Sequence, residues 1–288
     1  MEKTRAVYST RTKIVRFIIW LFLAFVALLV LFPVIYIILG SFKENKELLT
    51  GGSNIFPTKW ILTNYIEAWQ QANFAAYTLN SIRLSVGVMV CSLLISTMAG
   101  YVFARKDFRG KELLYYIFVM FMFINVGSVS LRPLFELAVN LKVNTNYSTI
   151  ILISTGCGQA TYIFLCRGFV NSVPKELDEA AKIDGCTFFQ IYYKIVLPML
   201  KPVMATIAIL SFRQGWNEYI MPLVFTMSND SMRPLTVGIN MLKNSGDGAA
   251  AWNIMFAGAT IAIIPILVVY CCFSRYFMGG LTTGAVKA

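Results

Sequence analysis

Histidine is absent from all 288 residues, and charged residues make up only 14% of them. The first absence removes the commonest metal ligand and the commonest general base at neutral pH. No metal site and no catalytic residue is assigned. The second absence excludes a soluble domain, because a chain that is 57% hydrophobic has too few charges to cover its apolar surface in water. No G-x-x-x-x-G-K-S/T run occurs, so there is no P-loop for nucleotide phosphates. Internally related halves, the mark of many secondary transporters, are not evident either. Six cysteines are present, at 91, 157, 166, 186, 271 and 272, without the spacing of a metal or redox motif. They read as reduced, structural thiols.

What the chain does have is long uncharged runs. They cover Phe17–Phe42 and residues 84–104, 113–131, 143–166 and 248–274. A bilayer takes about 20 apolar residues per helix, so each run is long enough to cross. Residues 202–227 contain Arg213 and Glu218 but are apolar on either side, and read as a further crossing with a polar middle. The expectation is an all-α, polytopic membrane protein with six transmembrane helices and both termini in the cytosol. No small-x-small cleavage site follows the first run, so it reads as an uncleaved helix.

The net charge of +11 is distributed as topology requires and does not call for nucleic acid. Residues 105–111 carry Arg105, Lys106, Arg109 and Lys111, and the next inner connection carries Arg167, Lys175, Lys182, Lys194 and Lys201. The outer segment 43–77 instead balances its lysines with glutamates. This is the basic bias of inner loops. The organisation is a cytosolic segment 1–16, a transmembrane domain 17–278 with an inner loop 170–201, and a cytosolic tail 279–288.

That inner loop is the most informative stretch. Glu179-Ala180-Ala181-Lys182-Ile183-Asp184-Gly185 is followed, nine residues later, by Ile195-Val196-Leu197-Pro198. Pro174 suits a helix start, and Glu176, Asp178 and Glu179 lie where the helix dipole favours negative charge. Gly185 permits a reversal. Phe188, Phe189, Ile191, Tyr192 and Ile195 then recur at helical spacing. Together they predict a compact knob of two short helices joined at a glycine.

The knob resembles the EAA loop of permease subunits in ATP-binding-cassette importers. Further motifs match the carbohydrate branch of that family, which includes the smaller permease of the maltose transporter. They are Asn80-Ser81, Trp216-Asn217-Glu218-Tyr219, Arg233-Pro234-Leu235-Thr236-Val237-Gly238, and the tail Gly279-Gly280-Leu281-Thr282-Thr283-Gly284-Ala285-Val286-Lys287. The resemblance implies a type I importer permease fold in a bacterial inner membrane. It implies a second, homologous permease, two ATPase subunits that carry the ATP and Mg, an extracytoplasmic sugar-binding protein, and a sugar as substrate. This chain itself would hold no cofactor. Glycerol phosphate or a polyol is the alternative substrate class.

By the same resemblance, Glu179, Ala180, Ala181, Asp184, Gly185, Ile195, Leu197 and Pro198 dock on an ATPase subunit, with Ala180 and Ala181 against its cleft wall. Lys243, Asn244, Ser245, Gly246 and Asp247 form an outer loop that reaches the binding protein. Asn80, Asn125, Trp216, Asn217, Glu218 and Tyr219 are candidates for the translocation path, with interhelical hydrogen bonding the competing role. Small residues in 91–100 and 257–262 suit close helix packing. Gly279, Gly280 and Gly284 are expected to break the last helix, so that the tail runs along the ATPase interface.

Overall fold

The computed structural model describes residues 10–50, 54–71, 73–124, 127–243 and 250–285, and they are helical with no strand among them. In chain order the helices are α1 (Thr10–Gly40), α2 (Asn45–Leu49), α3 (Thr63–Gln71), α4 (Phe74–Arg105), α5 (Lys111–Phe121), α6 (Leu131–Asn140), α7 (Tyr147–Gly156) and α8 (Gln159–Ser172). Then follow α9 (Glu176–Ile183), α10 (Phe188–Ile191), α11 (Leu197–Met199), α12 (Lys201–Asn217), α13 (Ile220–Phe225), α14 (Leu235–Leu242) and α15 (Trp252–Ala285).

Among the described residues, three helices are long and apolar enough to cross a membrane: α1, α4 and the Trp252–Cys271 part of α15. Two bent pairs also qualify when each is taken as one span. They are α7 with α8, bent by 57°, and Phe188–Met199 with α12, bent by 79°.

Several expected crossings are therefore less regular than the runs that suggested them. The run 113–131 is not one helix. α5 stops at Phe121, and a 3₁₀ turn, Gly127–Ser130, leads into α6. Gly127 has φ +54°, a left-handed conformation incompatible with a continuing helix. The run 202–227 is broken too: α12 ends at Asn217, and Glu218 is extended. Pro222 explains the break, because its ring would clash with the carbonyl of Glu218 in an unbroken helix. It sits instead in the first turn of α13. At the other end of the chain, the glycines at 279, 280 and 284 do not interrupt α15. A helix interior tolerates glycine at about 1 kcal/mol each, which a long helix absorbs. Residues 286–288 lie outside the described part.

The chain forms two compact units. One comprises residues 1–68 and 242–261. Here no residue in the apolar stretch of α1 is fully buried, which leaves a face of the helix for lipid or another subunit. The segment after α1 is tied down by asparagines. Asn64 donates to the carbonyls of Ser41 and Lys43, and Asn253 donates to Asn64 Oδ1 at 2.8 Å. Asn45 donates to the Ala250 carbonyl and accepts from the Trp252 amide. Phe56 and Trp60 stay exposed beside this ordered segment, as an interfacial anchor requires.

The other unit comprises residues 69–241 and 262–288 and is organised on α4. Its buried face carries Ser81, Ser85, Ser92, Ser96 and Gly100, and small residues let neighbouring helices approach closely. A Cβ on Gly100 would lie 2.4 Å from Cys166 Cβ of α8, and one on Gly215 of α12 would lie 2.8 Å from Ser85 Cα. These two contacts fix α8 and α12 against α4.

Candidate functional site

The inner loop folds as a helix, a glycine turn and a second helical run. α9 ends in a Schellman motif: Cys186 N–H donates to the Ala181 carbonyl, and Gly185 N–H donates to that of Lys182. Gly185 takes φ +80° to make the turn. Thr187 and Gln190 then form a reciprocal capping box at the start of α10. The helix widens to a π turn over Tyr192–Val196. Pro198, two residues later, cannot donate to the carbonyl of Lys194, which accounts for the wider turn. Pro174 lies just ahead of α9 and not within its first turn.

The knob is joined to the transmembrane body by a continuous apolar core. Ala181, Ile191, Tyr192, Val196 and Leu200 pack with Tyr101 of α4, Cys166 and Val170 of α8, and Val203 and Ile207 of α12. Tyr101 lies 4.6 Å from the Phe188 ring and 5.4 Å from the Tyr192 ring. The Tyr192 hydroxyl meets Thr97 Oγ1 at 2.8 Å. At the end of α4, Arg105 donates to the Val173 carbonyl and pairs with Asp178 at 2.6 Å. Arg167 of α8 pairs with Glu112 and stacks over the Tyr115 ring at 3.6 Å, tying α5 to α8.

This sorts the expected docking residues. Glu179, Ala180, Asp184, Gly185 and Pro198 are exposed. Ala181 is not: at 4% exposure it faces the chain's own core, so it cannot line a partner's cleft. Ile195 and Leu197 are half-buried against the same core. The helical period puts Ala181 on the opposite side of α9 from its exposed neighbours, a phase that the triplet alone does not reveal. The most exposed apolar side chain of the knob is Ile183, at 86%.

The polar residues of the membrane part also separate. Asn80 is 6% exposed and donates to the carbonyls of Ser231 and Arg233. These bonds latch it to the connection after α13, the hydrogen-bonding role that competes with the translocation path. Ser81 accepts from the Leu235 amide at 2.8 Å in the same latch. Trp216 is 4% exposed and stacks on Phe212, so its ring is unavailable to a sugar. Glu218 offers its carbonyl to Thr236 Oγ1 and lines a cleft of about 630 Å³ with Cys157, Leu131 and Leu152. Tyr219 is half-buried beside it. Because α12 ends at Asn217, Gln214 and Glu218 do not share a helix face. Asn125 and the loop residues Asn244, Ser245, Gly246 and Asp247 lie outside the described residues. Lys243, at the base of that loop, rests its Nζ 4.5 Å from the Trp252 ring.

A second cleft, of about 460 Å³, opens at the bend between α7 and α8. Arg213, Gln214 and Asn217 of α12 face Gly158, Thr161 and Tyr162 across it. Tyr162 donates to Gln214 Oε1 at 3.0 Å, and Gln214 Nε2 donates to the Ser154 carbonyl at 2.6 Å. A Cβ on Gly158 would lie 2.6 Å from Gln214 Oε1, so the glycine lets the two helices close around this bond.

A chain that buries so little of its apolar surface and builds a stiff polar knob at one end of its bundle is suited to assembly. Residues 74–281 match the family of binding-protein-dependent transport system inner membrane components. The chain belongs to that family. It is thus the permease part of an ABC transport system, without a catalytic role of its own. It is 35% identical to the arabinooligosaccharides transport system permease AraQ of Halalkalibacterium halodurans, over 92% of this chain and 94% of that protein. It is 30% identical to the melibiose/raffinose/stachyose import permease MelC of Bacillus subtilis, over 97% and 99%. A similar fold, with a TM-score of 0.78 and 25% identity over 94% of this chain and 99% of the other, occurs in the crystal structure of a bacterial ABC transporter involved in the import of the acidic polysaccharide alginate.

Proposed function

We propose that this permease forms half of the translocation path of an ATP-driven oligosaccharide importer. The observation that carries the reading is the family match over most of the chain, with relatives named for oligosaccharides at near full-length coverage. The chain crosses the inner membrane six times with both termini in the cytosol. α5 and the turn after it supply the third crossing, beside the spans that α1, α4, α7 with α8, α12 and α15 provide, while Phe188–Met199 stays in the cytosolic knob. A second, homologous permease completes the path and covers α1.

The knob is the coupling element. Glu179, Ala180, Asp184, Gly185 and Ile183 present a mixed charged and apolar surface to one of two ATPase subunits, which hold the ATP and Mg. Because the knob shares a core with α4, α8 and α12, ATPase closure is transmitted to those helices as a rigid-body movement. The loop beginning at Lys243 faces the extracytoplasmic binding protein.

The test is reconstitution of the permease pair with its ATPases in liposomes. Uptake of labelled arabino- or galacto-oligosaccharides should require both ATP and the binding protein. Uptake driven by an ion gradient without ATP would overturn the reading.

A further inference from the structure

We infer that the cleft between α8 and α12 is a substrate subsite for a saccharide bearing a negative charge, with Arg213 binding its carboxylate. The inference rests on the importer reading above and names the substrate class more closely. Arg213 is exposed, carries no hydrogen bond or ion pair among the described residues, and lies in the wall of the 460 Å³ cleft. It stands twelve residues into α12 from Lys201, about 18 Å along the axis at 1.5 Å per residue. On the proposed topology that is near the middle of the bilayer. A guanidinium at such a depth is costly unless it faces water or an anion, and such residues mark substrate pathways.

The surroundings fit a sugar acid. No carboxylate lines this cleft, and the nearby Glu218 lines a different one. Asn217, one turn along α12, shares the face of Arg213 and offers an amide to hydroxyl groups. Gln214 is held at the wall by Tyr162 and the Ser154 carbonyl, so part of the lining is preorganised. Leu210, half-buried at the wall, adds an apolar flank for a pyranose face. The volume lies within the ~300–1,000 Å³ usual for small-molecule sites. A guanidinium recognises carboxylate by two parallel hydrogen bonds, a geometry that lysine cannot copy.

The experiment uses the complete importer with its binding protein in liposomes. Uptake is measured for trisaccharides of galacturonate, glucuronate and mannuronate and for their neutral counterparts. The native complex should favour an acidic member. Arg213→Gln should lower kcat/KM for it by about tenfold or more, the effect of a lost charge-assisted hydrogen bond, while residual neutral uptake is unchanged. Arg213→Lys should restore only part of the loss. Three outcomes overturn the inference: uptake of neutral sugars alone, an equal fall for both classes in Arg213→Gln, or dissociation of the Arg213→Gln complex on size exclusion. The last would mean that Arg213 pairs with an acid of the second permease. If no saccharide of either class is taken up, the oligosaccharide reading falls as well.

Discussion

Arg105 at the end of α4 and Asp178 in the first turn of α9 form an ion pair at 2.6 Å, with side chains only 5% and 8% exposed. The same guanidinium binds the Val173 carbonyl, so one side chain grips both the start of the knob and its first helix. A transmembrane helix is thereby clamped to the element proposed to meet the ATPase. Removing one member of a buried pair strands the other and costs about 3–5 kcal/mol. Asp178→Ala and Arg105→Ala should each loosen the knob and lower ATPase retention. An Arg105→Met/Asp178→Leu double variant should be less impaired than either single change. Strictly additive losses in a pull-down of the ATPase would show that the two residues act independently.

Gly185 tests the turn itself. Its φ is +80°, and no atom lies within 4 Å of the place a Cβ would occupy. Only backbone strain opposes a side chain there, at about 1–2 kcal/mol for an ordinary residue. Gly185→Val should therefore misalign α9 and α10 and weaken coupled uptake. Gly185→Asn, which tolerates the left-handed region, should retain most of it. Equal activity of the two variants in liposome transport would remove strain as the explanation.

The turn is legible in the sequence for the reason that makes it testable: few residues other than glycine suit that conformation, and a polar segment between apolar runs has nowhere else to reverse. The Arg105–Asp178 pair is not legible. Asp178 satisfies the helix-dipole rule by itself, and Arg105 satisfies the basic-loop rule by itself, so neither signals a missing partner until the fold joins them. Asn80 shows the opposite limit. A polar side chain in an apolar run signals an expensive burial, but the spacing does not say whether a pathway or a loop carbonyl offsets it. The run 113–131 fails as a single helix because absence of charge is all that a hydropathy window sees, and Gly127 lies inside it.

Asn80 offers a direct check on that distinction. Asn80→Leu removes the donor to the Ser231 and Arg233 carbonyls, two part-buried hydrogen bonds worth about 0.5–1.5 kcal/mol each. The expected phenotype is a lower melting temperature of the detergent-solubilised complex with an unchanged KM for the sugar. A KM shift without loss of thermal stability would return Asn80 to the translocation path.

Gly100 tests the packing of α4 against α8. Its absent side chain lets α4 meet α8, with Cys166 Cβ at 2.4 Å and the Arg167 backbone nitrogen at 3.0 Å from where a Cβ would stand. Backbone cannot move aside as a flexible side chain can, so Gly100→Val should separate the helices and reduce the yield of folded complex. Gly168 of α8 has no atom within 4 Å of such a Cβ, and Gly168→Ala should be neutral or slightly stabilising through helix propensity. Similar yields for the two variants on size exclusion would contradict the close α4–α8 approach.

Ile183 is the sharpest test of the coupling surface. It ends α9 with 86% of its surface exposed, beside the charged Lys182 and Asp184, on a helix that turns Ala181 into the core and leaves Leu177 only 39% exposed. Burying such a side chain against a partner is worth about 1.5–3 kcal/mol, so Ile183→Asp should weaken ATPase binding by roughly one to two orders of magnitude. It should not disturb the permease, because Ile183 contributes nothing to the apolar core that holds the knob. Glu179→Lys, exposed on the same helix, should act in the same direction by placing like charges together if the ATPase presents a basic residue to it. Both variants should insert and melt as the native permease does. An ATPase affinity unchanged in Ile183→Asp would place the contact elsewhere on the knob and leave the exposed isoleucine without a partner.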